Sequence, residues 1–166
     1  MILAALLLAQ TPTVMAADKP VACPATPAPL PGTLAGWTAM APVTAGASGE
    51  KAPVLPIGRG VGATLLPAGS VSLPVAVAKP ATAGSSSGVF AFTVPAAGRY
   101  QIALGAGVWV DVVADGKALA SVAHGHGPAC SPVRKLVSFD LQPGRYLLQV
   151  VGSTAPTLAL MVARAS

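Results

Sequence analysis

Aromatic and charged side chains are scarce in this chain: 4% of its 166 residues are Phe, Trp or Tyr, and 9% are Asp, Glu, Lys or Arg. It has only two histidines and two cysteines, so groups able to bind metals or move protons near neutral pH are few. Beyond the leader there is no continuous apolar stretch of about twenty residues, which excludes a membrane-spanning helix in the mature chain. No run of basic residues exists either. Arg134-Lys135 is the one adjacent basic pair, so nucleic acid is excluded as a partner despite a formal charge of +5. The acidic residues are equally dispersed, with no clustered loop set for calcium.

What is abundant is small and apolar. The chain is 53% hydrophobic, much of it alanine and valine, and 18 glycines and 17 prolines interrupt it. Such punctuation defeats long helices and suits short strands joined by turns. The length fits one domain. The expected fold is therefore all-β, a single-domain antiparallel β-sandwich of jelly-roll type, preceded by an extended Pro/Ala-rich amino-terminal arm.

Residues 1–16 read as a secretory signal peptide: an apolar run from Met1 to Ala9 is followed by Val14 and Ala16, small residues suited to cleavage after Ala16. A periplasmic or secreted location follows. Val21-Ala22-Cys23 has the end of a lipoprotein box, but Pro20 stands where that box has leucine and Asp18-Lys19 place charge in its hydrophobic region. The lipoprotein route is not expected. An even cysteine pair in an exported chain is normally oxidised, so Cys23 is expected to bond Cys130, closing a loop of about a hundred residues. Residues 17–51 read as the arm, with Trp37 as its one large anchor over the core.

From residue 52 onward strand signals dominate. Apolar runs stand at Val54 to Ile57 and Ala63 to Leu66, and Val71, Leu73, Val75 and Val77 alternate through an edge strand containing Pro74. Lys79 to Gly88 reads as a loop, and Val89 to Val94 as a strand with Phe90 and Phe92 on one face. A weak internal repeat follows, Phe92 to Tyr100 against Phe139 to Tyr146, each copy reading strand, tight turn at Gly98 or Gly144, strand. Between the copies, Val108 to Val113 is expected to turn at Asp115-Gly116 and return along Ala118 to Ala123 as a hairpin. The last strand is Thr157 to Ala163.

Phe90 to Ala163, with its Ala-Gly-Arg-Tyr turn, its Asp-containing hairpin and Phe139-Asp-Leu-Gln-Pro-Gly-Arg-Tyr-Leu-Leu-Gln-Val, resembles the bacterial pre-peptidase C-terminal (PPC) domain and related jelly-roll modules. The resemblance implies a sandwich fold and an accessory role in secreted proteins.

Candidate sites are few. Gly84-Ser85-Ser86-Ser87-Gly88 satisfies the G-x-S-x-G pattern but lies between a loop and a strand, where a nucleophile elbow needs strand and helix. Gly58-Arg59-Gly60-Val61-Gly62 lacks the spacing and the helix of a phosphate loop. Both histidines and Cys130 fall within His124-Gly125-His126-Gly127-Pro128-Ala129-Cys130. On a strand, His124 and His126 point the same way and could share copper or zinc; as an exposed turn, the segment merely delivers Cys130 to its partner. The His-x-His also resembles the cupin metalloproteins, which include non-haem iron dioxygenases. Cys130 stands where their glutamate falls, no downstream histidine exists, and only Asp111, Asp115 or Asp140 is left as a carboxylate ligand. The third candidate is Trp109 with Asp111, sharing one strand face opposite Val108, Val110 and Val112, where an indole beside a carboxylate could stack a sugar and accept its hydroxyls.

The expected function is an exported, non-enzymatic binding or envelope-associated protein, with envelope glycans or another envelope protein as partners. The alternatives are a periplasmic copper or zinc binder and a degenerate cupin-type iron dioxygenase. No cofactor is required by the first reading.

Overall fold

The computed structural model describes residues 22–25, 29–78 and 80–165. The signal peptide expected over residues 1–16 lies outside them. Among the described residues, eleven strands form two sheets. One contains β1 (Ala41–Thr44), β2 (Gly60–Thr64), β5 (Gly98–Leu104), β8 (Ala123–Gly125), β9 (Lys135–Leu141) and β11 (Thr157–Arg164), in the order β1-β2-β11-β5-β9-β8. The other contains β3 (Leu66–Pro67), β4 (Ser86–Val94), β6 (Trp109–Ala114), β7 (Lys117–Ala118) and β10 (Gly144–Ser153), in the order β3-β4-β10-β6-β7.

The chain is an all-β sandwich, and its jelly-roll winding is explicit in the pairing. Setting aside the short edge strands β1, β3 and β8, eight strands remain, and they pair from the outside inward. β2 pairs with β11, β4 with β10, β5 with β9, and β6 with β7, all antiparallel. This nesting of first with last is what a folded-over antiparallel ribbon gives when it wraps into two sheets.

The inner faces close on one apolar core containing Phe90, Phe92, Ile102, Leu104, Val112, Phe139, Leu148 and Leu160. Alternation places these side chains inward because successive strand residues face opposite ways. Val108, Val110 and Val112 are buried there, as their spacing predicts.

Several expected elements take other forms. Ser70 to Val77 does not join a sheet: only its first residue belongs to a short 3₁₀ turn, and the rest runs as a strap over the second sheet. Val75 bonds there through both backbone groups to the Gln149 side chain, with N–H to Oε1 and Nε2–H to C=O both 3.2 Å. Pro74 lacks a ladder donor, and the alternating apolar residues satisfy half-burial against the sheet without extending it. Val54 and Ile57 make single bridges, to Ala91 and Val162, rather than a strand. The Asp115-Gly116 turn has the positive φ values of a two-residue hairpin, 49° and 71°, but β7 is only two residues long, and the chain then crosses to the other sheet as β8.

The stretch read as an arm is built into the sandwich. Ala41–Thr44 pairs in parallel with β2, so ordered pairing begins before residue 52. A 3₁₀ helix, Gly32–Thr38, lays Leu34 and Trp37 on the outer face of the first sheet, against Ala103, Val133, Met161 and Ala163. Trp37 is buried, as an anchor should be. The expected disulfide between Cys23 and Cys130 is present, with Cα atoms 5.4 Å apart, and ties the start of this covering segment to the loop after the histidines.

Candidate functional site

β7 pairs only with Val113 and Ala114 of β6, which leaves the first half of β6 without a strand along its outer edge. On the opposing sheet, β8 is three residues long and wholly exposed. Where the chain crosses between these two short strands, the sandwich stays open. The result is a groove of about 390 Å³. Trp109 and Asp111 reach it from β6, His124 from β8, Lys135 from β9, and Leu119 and Ser121 from the crossing segment; Val110, Val137 and Phe139 supply its apolar base.

Trp109 is 53% exposed, a large apolar surface for a free side chain. Its ring is nevertheless held. The indole Nε1–H donates to Asp111 Oδ2 at 2.9 Å, and the same oxygen accepts from Gln149 Nε2–H at 2.8 Å. Gln149 is fully buried under the Val75 strap and is therefore a rigid support. Lys135 completes the arrangement, with Nζ donating to the Val108 carbonyl at 2.8 Å and lying 5.9 Å from the Trp109 ring centroid. That distance allows a cation–π attraction.

Two candidates that looked separate in the sequence thus meet: Trp109 with Asp111, and His124, line one groove. His126 is not among its lining residues. It is exposed, and its Nδ1 lies 3.2 Å from the Arg134 carbonyl, an acceptor, so Nδ1–H is the donor in that contact. Gly127 is required by close packing, since a Cβ there would overlap the backbone and side chain of Val133. Cys130 is consumed by the disulfide and has a positive φ of 58°. Lys135 and Gln149 were missed in the sequence. Gln149 falls between Leu148 and Val150, on the phase opposite the alternating apolar set of the repeat, and only the cross-strand register, Gln149 opposite Asp111, reveals its role.

The donor set does not fit a cupin-type iron centre. The interior is packed with apolar side chains, and both histidines are exposed at an edge. Among the described residues no three His, Cys, Asp or Glu side chains come together as a ligand group. Asp140, one candidate carboxylate, is engaged with Arg99 instead, and Asp111 is engaged with Trp109 and Gln149. Of the other motifs, Ser86 of the G-x-S-x-G sequence begins β4 with Ser87 buried behind it, and Gly60 of the glycine-rich run begins β2.

No protein-family model matches this chain, and no curated protein matches it.

Proposed function

We propose that this chain is an exported, non-enzymatic jelly-roll module that binds glycans in the groove at Trp109. The observation that carries the reading is the indole itself: half exposed at a groove, yet oriented by a hydrogen-bond relay that runs through Asp111 to the buried Gln149. A fixed aromatic plane beside polar side chains offers a sugar ring an apolar face and hydroxyl partners together. Export is part of the proposal, and the Cys23–Cys130 disulfide suits an oxidising compartment. A thioether at Cys23 would exclude that disulfide, which argues against a lipoprotein.

A glycan array of envelope and extracellular polysaccharides tests this. The wild-type protein should bind a defined subset, and Trp109→Ala should lose it while keeping the wild-type circular dichroism spectrum. An unchanged array profile in the variant would remove Trp109 from the site.

A second reading is copper or zinc binding at His124 and His126. It is favoured by the His126 Nδ1–H contact to a backbone carbonyl, the arrangement that fixes metal-binding imidazoles. Titration of copper or zinc should then shift the His124 and His126 ring resonances together, and unmoved resonances exclude it.

A further inference from the structure

We propose that the ligand is an acidic oligosaccharide, a chain of at least two sugars lying across Trp109 with a carboxylate on Lys135. This rests on the glycan reading and adds length and charge to it. The groove does not end at the indole. Beyond it lies a second depression of about 260 Å³, walled by Pro80, Ala81, Thr82 and Gly107. Trp109 and Lys135 line both depressions, so they form a ridge between them. A single sugar would use one side of that ridge, whereas a chain crossing it stacks on the exposed indole and fills both sides.

The charge follows from what stands at the crossing. Lys135 has three N–H donors, and one of them is committed to the Val108 carbonyl. The remaining two are available to a carboxylate at the centre of the path. Among the described residues Asp111 is the one carboxylate lining either depression, and its Oδ2 already accepts from two N–H donors. At longer range, ten basic against five acidic residues favour approach of a polyanion.

The test measures binding of galacturonic acid and its oligomers of up to four sugars, beside the matching neutral galactose series, by calorimetry. Affinity should rise at least about tenfold from one sugar to four, and the acidic series should bind tighter than the neutral one. Lys135→Gln should abolish the acidic preference and Lys135→Arg should restore it, which separates charge from fold. Thr82→Trp, an exposed change that fills the far depression, should weaken binding of the tetramer more than binding of the single sugar. Equal affinity for one sugar and four, or for acidic and neutral chains, overturns the inference while leaving a Trp109-dependent glycan site intact. If neither series binds and the array is blank, the inference and the glycan reading fall together.

Discussion

Gln149 shows how much depends on one buried polar side chain. Its amide serves Val75 through two hydrogen bonds and Asp111 through a third, so it fastens the strap to the sheet and steadies the carboxylate that holds Trp109. Gln149→Leu would preserve size but strand the Val75 backbone groups. We predict a loss of about 1–3 kcal/mol, read as a lowered thermal midpoint, with weaker ligand binding than stability alone explains. A variant of unchanged midpoint would show that the strap needs no such fastening. At the surface, Arg99 donates to both oxygens of Asp140, at 2.9 and 3.2 Å. Hydrogen bonding from the guanidinium, aided by its charge and opposed by slight desolvation, holds the Asp140 carboxyl below its usual value. A lowered native pKa stabilises the fold above the ordinary carboxylate range, and this contribution disappears as pH falls through the native value. Both groups are exposed, so the effect on stability is small. The carboxyl titration of Asp140 by NMR should move upward in Arg99→Gln, and a fixed midpoint would refute the pairing in solution.

At the level of elements, the internal repeat has a structural meaning that its sequence conceals. Each copy reads as strand, turn, strand, yet neither turn closes a hairpin. Pro95 to Ala97 carries the chain from β4 in one sheet to β5 in the other, and Gln142-Pro143 carries β9 across to β10. The copies then pair with each other: Tyr146 lies opposite Phe92, and Tyr100 opposite Phe139. Each crossing is clamped by its own tyrosine, with the hydroxyl donating at 2.8 Å to the carbonyl four residues earlier, Ala96 for Tyr100 and Gln142 for Tyr146. This is the tyrosine-corner device of β-sandwiches. Tyr100→Phe and Tyr146→Phe should each cost about 1 kcal/mol, seen as a lower denaturant midpoint at unchanged slope. Tyr146→Phe should cost more, because its hydroxyl also accepts from the Gln142 N–H. Period-two alternation made β5 and β10 legible at Tyr100, Ile102 and Leu104 and at Tyr146, Leu148 and Val150, whereas β4 and β11, buried on both faces over most of their length, read as short continuous apolar runs. Pairing partners were not legible, since a tight turn between strands reads alike whether it closes a hairpin or bridges two sheets. The same ambiguity misplaced Val71 to Val77, whose alternation records contact with a sheet rather than membership of one. It also kept His124 apart from Trp109, which meet only through the crossing from β7 to β8.

For the whole molecule, the decisive long-range constraint is the disulfide. The first sheet has two apolar faces: one closes the sandwich core, and the other would lie bare without Leu34 and Trp37. The Gly32–Thr38 segment covers that second face, and Cys23–Cys130 fastens the chain ahead of it across a sequence separation of 107. The same bond ends the segment that bears His124, so arm and groove wall share one anchor. A closed loop of this size lowers the entropy of the unfolded chain by an amount equivalent to about 4–5 kcal/mol, against a total stability of about 5–15 kcal/mol for a typical domain. The Cys23→Ser, Cys130→Ser double variant should therefore lose a large part of its stability in denaturant titration. In a Trp109→Phe background, Trp37 becomes the one tryptophan of the chain and reports on the arm. If the disulfide holds the arm in place, reducing it should shift Trp37 emission to the red at denaturant concentrations where the sheets still give their native circular dichroism. Coincident loss of the two signals would mean that the arm is held by Leu34 and Trp37 packing alone, with the disulfide acting only on the unfolded state.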